Sequence, residues 1–172
     1  MDRKTCRFGR TDILCMALAF GCSKTPDSPP VDEEAAVRSQ FAALQAAIKD
    51  GDTDKLWSLV DSRSQADAER VAEIVRASYA KATPAEQAEM ENSLGVKGAE
   101  LAAFTGRNYL KTKPFQHKYH DMPGSTIEKV VTQGDSSTVH YLESDGDMEK
   151  AIFVRQQGEW KVWLTMPGAA KP

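Results

Sequence analysis

Hydrophobic positions in the first half of the chain recur at the spacing of an amphipathic helix. In residues 32–50 the apolar side chains follow one another at intervals of four, three and four, which places them on one helix face. These residues are Val37, Phe41, Leu44 and Ile48. Acidic residues open the segment and Gly51 follows it, as expected at the two ends of a helix. The pattern predicts a first helix that packs its apolar face inward.

Three further helices are predicted between Gly51 and Gly95. The second is short and is capped by Asp52 or Thr53. The third covers residues 64–82 and has a charged outer side. Its predicted buried positions are Val71, Ile74, Val75 and Tyr79. The fourth has Thr83 as its cap with proline at its first helical position, and it ends near Gly95.

A fifth helix is predicted over residues 98–112. Its inward positions are Leu101, Phe104 and Leu110. Gly106 lies inside this segment, and a glycine in a helix interior costs up to about 1 kcal/mol relative to alanine. We therefore expect the helix to be continuous, with a weak point at this glycine.

From residue 126 onward the hydrophobic pattern changes to the alternation of β-strands. Four short β-rich segments are predicted, and they cover residues 126–133, 138–144, 149–156 and 160–166. Each joint between them is short and holds a glycine, which favours antiparallel hairpins. The chain is therefore predicted to be α+β, with N-terminal helices packed against a curved antiparallel sheet of about four strands. Residues 32–168 would form this single domain.

Two strands carry more detailed predictions. Trp160, Val162, Leu164 and Met166 alternate along the last segment, so that face should be buried. Trp163 then points to the opposite face, where it lines a cavity or touches another surface. Residues 151–154 are apolar at every position, as expected for a central strand covered on both faces.

The N-terminus has the layout of a bacterial secretory signal. A basic segment precedes an apolar run, Ile13–Phe20. This run is too short for a membrane span, which needs roughly 20 residues, but it suits a signal sequence. The following Gly21-Cys22 resembles the lipobox of bacterial lipoproteins. The resemblance implies that residues 1–21 are a lipoprotein signal peptide and that Cys22 carries lipid. An ordinary signal cleaved nearby, or an unexported N-terminus, are the alternatives.

Residues 22–31 are polar and rich in proline, and this composition predicts a flexible tether. Cys6 and Cys15 both lie in the predicted signal peptide, so the remaining chain would hold no disulfide. The expected location is the bacterial cell envelope, on the periplasmic or extracytoplasmic face, with the membrane as a partner through the lipid on Cys22.

Composition and motifs exclude several classes of function. The formal net charge is −3, and removal of the basic N-terminus makes it more negative. Such a chain has no clustered basic surface for nucleic acid. No G-x-S-x-G, phosphate-binding loop, G-x-G-x-x-G or H-E-x-x-H motif occurs. Common hydrolases, nucleotide enzymes and zinc proteases are therefore not indicated, and no cofactor is expected.

Three histidines are candidates for chemistry. His117 and His120 are three apart and, on a helix, would face one way and bind a metal together with Asp121. The alternative is a polar loop in which these side chains are solvated. His140 lies in the second predicted strand, where it could act as a general base. The alternative there is an exposed side chain beside a carboxylate.

Large aromatic residues are candidates for a ligand pocket. Trp57, Tyr141 and Trp163 could line an apolar site for a small ligand. At these spacings the same residues could instead be part of the core.

Three segments together are similar to the nuclear transport factor two-like superfamily. They are the first helix, the hinge D-G-D-x-x-x-L-W at residues 50–57 and the ending G-E-W-K-V-W-L at residues 158–164. The resemblance implies a cystatin-like cone-shaped sheet in a small envelope lipoprotein, and helices in residues 64–112 are additional to the family pattern. Because the chain has no catalytic motif, we expect non-catalytic binding of a small apolar ligand or an envelope protein. The alternative is a cavity enzyme with a histidine base, since the superfamily includes such enzymes.

Overall fold

The structure is a computed structural model, and it describes residues 32–168. The predicted signal peptide (1–21), the predicted tether (22–31) and the predicted lipidation of Cys22 lie outside the described residues. No helix within residues 32–168 combines the length and the apolar character needed to cross a membrane.

The described residues form helices followed by an antiparallel sheet, as the α+β prediction required. The helices are α1 (Glu33–Asp50), α2 (Thr53–Leu59), α3 (Ser62–Tyr79), α4 (Pro84–Leu94), α5 (Gly98–Ala102), α6 (Gly106–Tyr109) and α7 (Lys113–Lys118). A 3₁₀ turn, Met122–Gly124, precedes the strands β1 (Thr126–Gln133), β2 (Ser136–Leu142), β3 (Met148–Gln156) and β4 (Glu159–Trp163). The strands lie in chain order, so the sheet is a meander of three hairpins.

The predicted helix ends of α1, α2 and α4 are confirmed. Asp32 caps α1 by accepting a hydrogen bond from the backbone N–H of Ala35, and Asp52 caps α2 in the same way. Thr83 and Glu86 form a capping box at the start of α4. Gly51 ends α1 with a φ of 65°, a conformation that glycine adopts without strain.

One hydrophobic core lies between the helices and one face of the sheet. Helix α1 contributes Val37, Phe41 and Leu44, which are fully buried, while Ile48 is only partly buried. The predicted alternation in the last strand is confirmed, because Trp160 and the apolar residues two, four and six positions later are buried. Within residues 32–168, the buried apolar residues lie between Val37 and Met166 and form one cluster, which is the feature of a domain that folds as a unit.

The predicted helix over residues 98–112 is interrupted. It ends at Ala102 and restarts at Gly106, where Thr105 and Asn108 form a capping box. The inward positions of the predicted helix are nevertheless buried, since Leu101, Phe104 and Leu110 are all at most 2% exposed. The break lets the chain turn so that both short helices place apolar side chains in the same core.

The predicted inward face of α3 is confirmed at Val71, which is buried, and at Val75 and Tyr79, which pack partly buried against the core, but it is wrong at Ile74. Its buried residues are Ser64, Ala68, Val71 and Ala72. Ile74, predicted to be buried, is 57% exposed. Small residues form the buried face because α5 and α6 pack directly against α3. Apolar spacing alone could not identify Ser64, Ala68 and Ala72 as the rest of this face.

The prediction that β3 is covered on both faces is wrong. Ala151 and Phe153 are buried under the helices, whereas Ile152 and Val154 are half-buried on the other face. The second face, called here the open face, carries a row of residues that runs across all four strands. The row consists of Val131, Thr138, Ile152 and Trp163.

Candidate functional site

A cavity forms where β3 extends beyond the end of β4. Strand β4 pairs with β3 only from Ile152 to Gln156, which leaves the first residues of β3 without a strand partner on that side. After Trp163 the chain leaves the sheet and is held by tyrosines, because Tyr119 donates a hydrogen bond to the carbonyl oxygen of Thr165 (2.8 Å). The unpaired end of β3 and the diverging chain leave a gap between them.

Aromatic side chains form much of the wall of this gap, called here the β3-end cavity. Its volume is about 450 Å³, and Tyr119, Tyr141 and Trp163 line it. Tyr141 is 4% exposed and Trp163 is 37% exposed, so one lies deep and the other lies at the rim. The structure thus brings together two of the three predicted pocket residues. The third, Trp57, is partly buried against the core and does not line this cavity.

The hydroxyl group of Tyr141 is unpartnered in the described part of the chain. The ring packs against Phe41, with the two ring centroids 5.1 Å apart. The other two buried tyrosines, Tyr109 and Tyr119, donate to backbone carbonyl oxygens, but no hydrogen bond joins the Tyr141 hydroxyl to residues 32–168. Within the described residues the buried side-chain oxygen that lacks a partner is Gln40 Oε1, so the Tyr141 oxygen keeps contact with solvent through the cavity. The β3-end cavity therefore contains one unused polar group.

Carboxylates give the cavity a negative end. Glu143 follows Tyr141 on the same side of β2, and Glu149 lies opposite Tyr141 on β3; both line the cavity. Partial burial, with the nearby carboxylates of Glu149, Asp121 and Asp145, raises the pKa of Glu143 above its ordinary value. Burial, with Glu143 and Glu149, also raises the pKa of Tyr141, so its hydroxyl stays protonated.

The predicted metal ligands are only partly brought together. Carboxylate oxygens of Asp121, Glu143 and Asp145 lie within 4.8 Å of one another, and neither His117 nor His120 belongs to this group. An all-carboxylate set has the oxygen donors that Ca²⁺ or Mg²⁺ prefers, whereas imidazole suits zinc. The group therefore differs in chemistry from the histidine site that the sequence indicated.

The two histidines stack instead of converging on one point. His117 is in the last turn of α7 and His120 lies beyond the helix end; their rings are nearly parallel, with centroids 5.4 Å apart. His120 Nδ1 donates to the carbonyl oxygen of His117 (2.7 Å), and its Nε2 lies 2.9 Å from a carboxylate oxygen of Asp121. Both ring nitrogens of His120 thus face oxygen atoms.

His140 lies on the open face, away from the helices. Its cross-strand neighbours are Lys129 on β1 and Lys150 on β3, and no carboxylate stands opposite it. Within residues 32–168 it makes no hydrogen bond or ion pair, and it lines none of four cavities found in this part of the chain. This geometry supplies neither an enclosed site nor an acid to orient the imidazole, and it does not support a role as general base.

A second cleft lies between α1, α2 and the segment of α6 and α7. Its volume is about 370 Å³, and Ile48, Leu56 and Phe115 supply much of its apolar wall. Its lysine, glutamine and histidine side chains are exposed. Without a buried polar group this cleft offers little to orient a ligand, so the β3-end cavity is the better candidate site.

The sequence analysis missed Glu143, Glu149 and Tyr119 as site residues. Glu143 could have been found from strand alternation, because it lies two positions after Tyr141 and therefore on the same face. Glu149 required the register between β2 and β3, and Tyr119 required the path of the chain beyond β4.

Comparison of the chain with protein family models, with curated proteins and with solved structures found no match in any of the three. The resemblance to the nuclear transport factor two-like superfamily therefore stays a prediction based on sequence motifs.

Proposed function

We propose that this chain is a membrane-anchored lipoprotein of the bacterial cell envelope whose folded domain binds a small ligand without catalysis. The β3-end cavity supports the binding role, since it combines aromatic walls with the unpartnered hydroxyl of Tyr141, whose side chain is 4% exposed. Ligand sites commonly have this composition, with mostly apolar walls and a few polar groups that fix orientation.

The anchor is supported by the order of the N-terminal residues. A basic segment, a short apolar run and Gly21-Cys22 stand in the order that export and lipid attachment require. Lipid on Cys22 contributes membrane affinity through buried methylenes, at about 0.8 kcal/mol each. The proline-containing residues 22–31 would then keep the domain a short distance from the bilayer.

Dye binding tests the ligand role. Residues 23–172 are titrated with an uncharged hydrophobic dye that accepts energy from tryptophan. We expect saturable binding with energy transfer that falls strongly in Trp163→Phe and little in Trp57→Phe, because only Trp163 lines the cavity. Absence of a saturable response, or equal loss in both variants, would argue against the β3-end cavity as the ligand site.

Lipid attachment is tested separately in a bacterial host that carries the full chain. Labelling with an alkyne-bearing palmitate should mark the protein, and Cys22→Ser should abolish the label. Cys15→Ser is the matched control, because Cys15 lies in the same N-terminal region and should leave labelling unchanged. An unprocessed N-terminus without added acyl chains, seen by intact mass measurement, would refute the anchor.

A further inference from the structure

The charged groups of the β3-end cavity lie at different depths. Glu143 is half-buried, while the two lysines that line the cavity, Lys118 and Lys150, are exposed. Neither lysine forms an ion pair with a described carboxylate, and neither contributes to the pKa shift of Glu143. Lys118 Nζ instead lies over the ring of Tyr119, 5.6 Å from its centroid, and of the four charged groups that line the cavity only Glu143 is partly buried.

Four carboxylates lie close together at this end of β2 and β3, and of these Glu143 and Glu149 line the cavity. Asp121 and Asp145 lie beside Glu143, and Glu149 faces it from β3. His120 Nε2 lies 2.9 Å from a carboxylate oxygen of Asp121 at the protein surface, and within residues 32–168 no lysine or arginine forms an ion pair with these four carboxylates. Crowded carboxylates with so little compensation favour a positively charged group placed among them.

The hydroxyl of Tyr141 adds a directional contact. The Tyr141 side chain is 4% exposed and lines the cavity. Its oxygen can accept a hydrogen bond from an N–H group, while its proton can be donated to a carboxylate. An ammonium group at this point would satisfy the hydroxyl and at the same time meet the charge of Glu143. The rings of Tyr119, Tyr141 and Trp163 suit both an adjacent cation and an attached apolar chain.

We infer that the β3-end cavity binds a small amphipathic amine, with its ammonium group between Tyr141, Glu143 and Glu149 and its apolar part against Trp163. This inference rests on the proposed ligand-binding function and specifies the chemical class of the ligand. A quaternary ammonium would lack the N–H donor that Tyr141 can use, so primary amines are the preferred class.

The test compares three probes of equal chain length by calorimetry, with residues 23–172 in phosphate buffer free of amines. The probes are n-hexylammonium, 1-hexanol and hexanoate. We expect hexylammonium to bind at least about tenfold more tightly than hexanol, and hexanoate to bind least. Raising the salt concentration should weaken hexylammonium binding and leave hexanol binding unchanged.

Three variants locate the contacts. Tyr141→Phe should weaken hexylammonium about tenfold, because it removes one hydrogen bond to a charged group. Glu143→Gln and Glu149→Gln should reduce the preference for hexylammonium over hexanol. Glu149 is exposed, so its replacement leaves the core intact. Tyr79→Phe and Glu89→Gln are matched controls outside the cavity and should retain wild-type affinity.

The outcomes separate the inference from the proposed function. If hexanol or hexanoate binds as tightly as hexylammonium, the amine assignment is overturned while ligand binding stands. If the uncharged dye and all three probes fail to bind, the amine assignment and the proposed ligand-binding function are both overturned. Unchanged hexylammonium affinity in all three cavity variants would also overturn the assignment, because the amine would then bind elsewhere.

Discussion

Gly106 illustrates how packing can reverse the effect expected of a single residue. In an uninterrupted helix, alanine would be favoured here by up to about 1 kcal/mol. In the structure Gly106 begins α6 against α3, and an added Cβ would lie 2.7 Å from the backbone nitrogen of Glu69. Backbone atoms of a packed helix cannot move aside cheaply. The glycine is needed for the contact between the two helices.

Gly106→Ala should therefore destabilise the protein by about 1–3 kcal/mol, as overpacking typically does. Urea unfolding followed by circular dichroism measures the change. Gly124→Ala is the control, because its added Cβ would meet only Ser144 Cβ at 3.8 Å, an ordinary contact. A stabilising effect of Gly106→Ala would mean that the chain is helical through this position, as the sequence alone predicts.

Glu33 connects the start of α1 to the end of the sheet. Its carboxylate accepts a hydrogen bond from Trp160 Nε1 (3.0 Å) and pairs with Arg155, whose guanidinium lies over the Trp160 ring. The hydrogen bonds from Arg155 and Trp160 hold the pKa of Glu33 below its ordinary value of 4.5. The charged form is thus favoured in the folded state.

The stability difference between wild type and Glu33→Gln should depend on pH. Because the pKa of Glu33 is lower in the folded state, its carboxylate stabilises the protein at pH values above its ordinary pKa. This stabilisation is lost as the pH falls through the pKa of the folded state. Wild type should therefore have a higher free energy of unfolding than Glu33→Gln above about pH 5. This difference should shrink as the pH is lowered further. Urea midpoints measured between about pH 3 and 7 test this. Glu34→Gln, which removes an exposed pair with Arg38, should show a smaller gap.

At the scale of elements, the junction between α2 and α3 joins the helices to the sheet edge. Val60 forms an isolated parallel bridge with Val162 of β4. The backbone N–H of Asp61 donates to the carbonyl oxygen of Val162 (2.9 Å). The buried carboxylate of Asp61 caps α3 by accepting from Ser64 N (2.9 Å). Ser64 Oγ in turn accepts from Leu164 N. One short segment thus positions both the helix and the strand that ends at the cavity.

Asp61→Ala should cost about 1–2 kcal/mol, at the upper end for loss of an N-cap, because the freed backbone N–H of Ser64 is buried. Asp52→Ala removes an exposed cap of the same type and should cost less, about 0.5–1 kcal/mol. Chemical denaturation compares the two free energies of unfolding. Equal losses would indicate that burial adds nothing to the value of this cap.

At the scale of the whole molecule, all four tyrosines have raised pKa values. Burial raises the pKa of Tyr109 to about 12 and raises those of Tyr119 and Tyr141 further. For Tyr79 the main cause is its hydrogen bond to Glu91. Since unfolded tyrosines ionise near pH 10, the unfolded chain releases protons that the folded chain retains. Stability should therefore be retained below about pH 10 and fall above it.

Tyr141→Phe should reduce this alkaline loss with little structural disturbance, because the Tyr141 hydroxyl has no partner in residues 32–168. Because proton release and unfolding are coupled, the free energy of unfolding of the variant relative to wild type should rise by about 1 kcal/mol between about pH 8 and pH 11. Urea midpoints across this range measure it, and absorbance near 295 nm follows tyrosine ionisation in the folded state. A stability difference between wild type and Tyr141→Phe that does not change with pH would show that Tyr141 ionises like an exposed tyrosine.

Local sequence determined the elements that depend on local chemistry. Alternation along the chain predicted the four strands and their hairpins. The acidic residues that open α1 and the candidate caps Asp52 and Thr83 predicted helix starts, because these interactions join residues within a few positions of each other. The α+β class followed from the order of the two patterns. The export signal also depends on sequence order alone, and it stays a prediction.

Tertiary structure decided what depends on residues far apart in the chain. The break before Gly106 requires the backbone of α3, and the buried face of α3 requires the short helices that pack on it. The site required the register that sets Glu149 opposite Tyr141 and the early end of β4. Periodicity reports which positions are apolar, but only packing determines which of them are covered and which polar groups are left without partners.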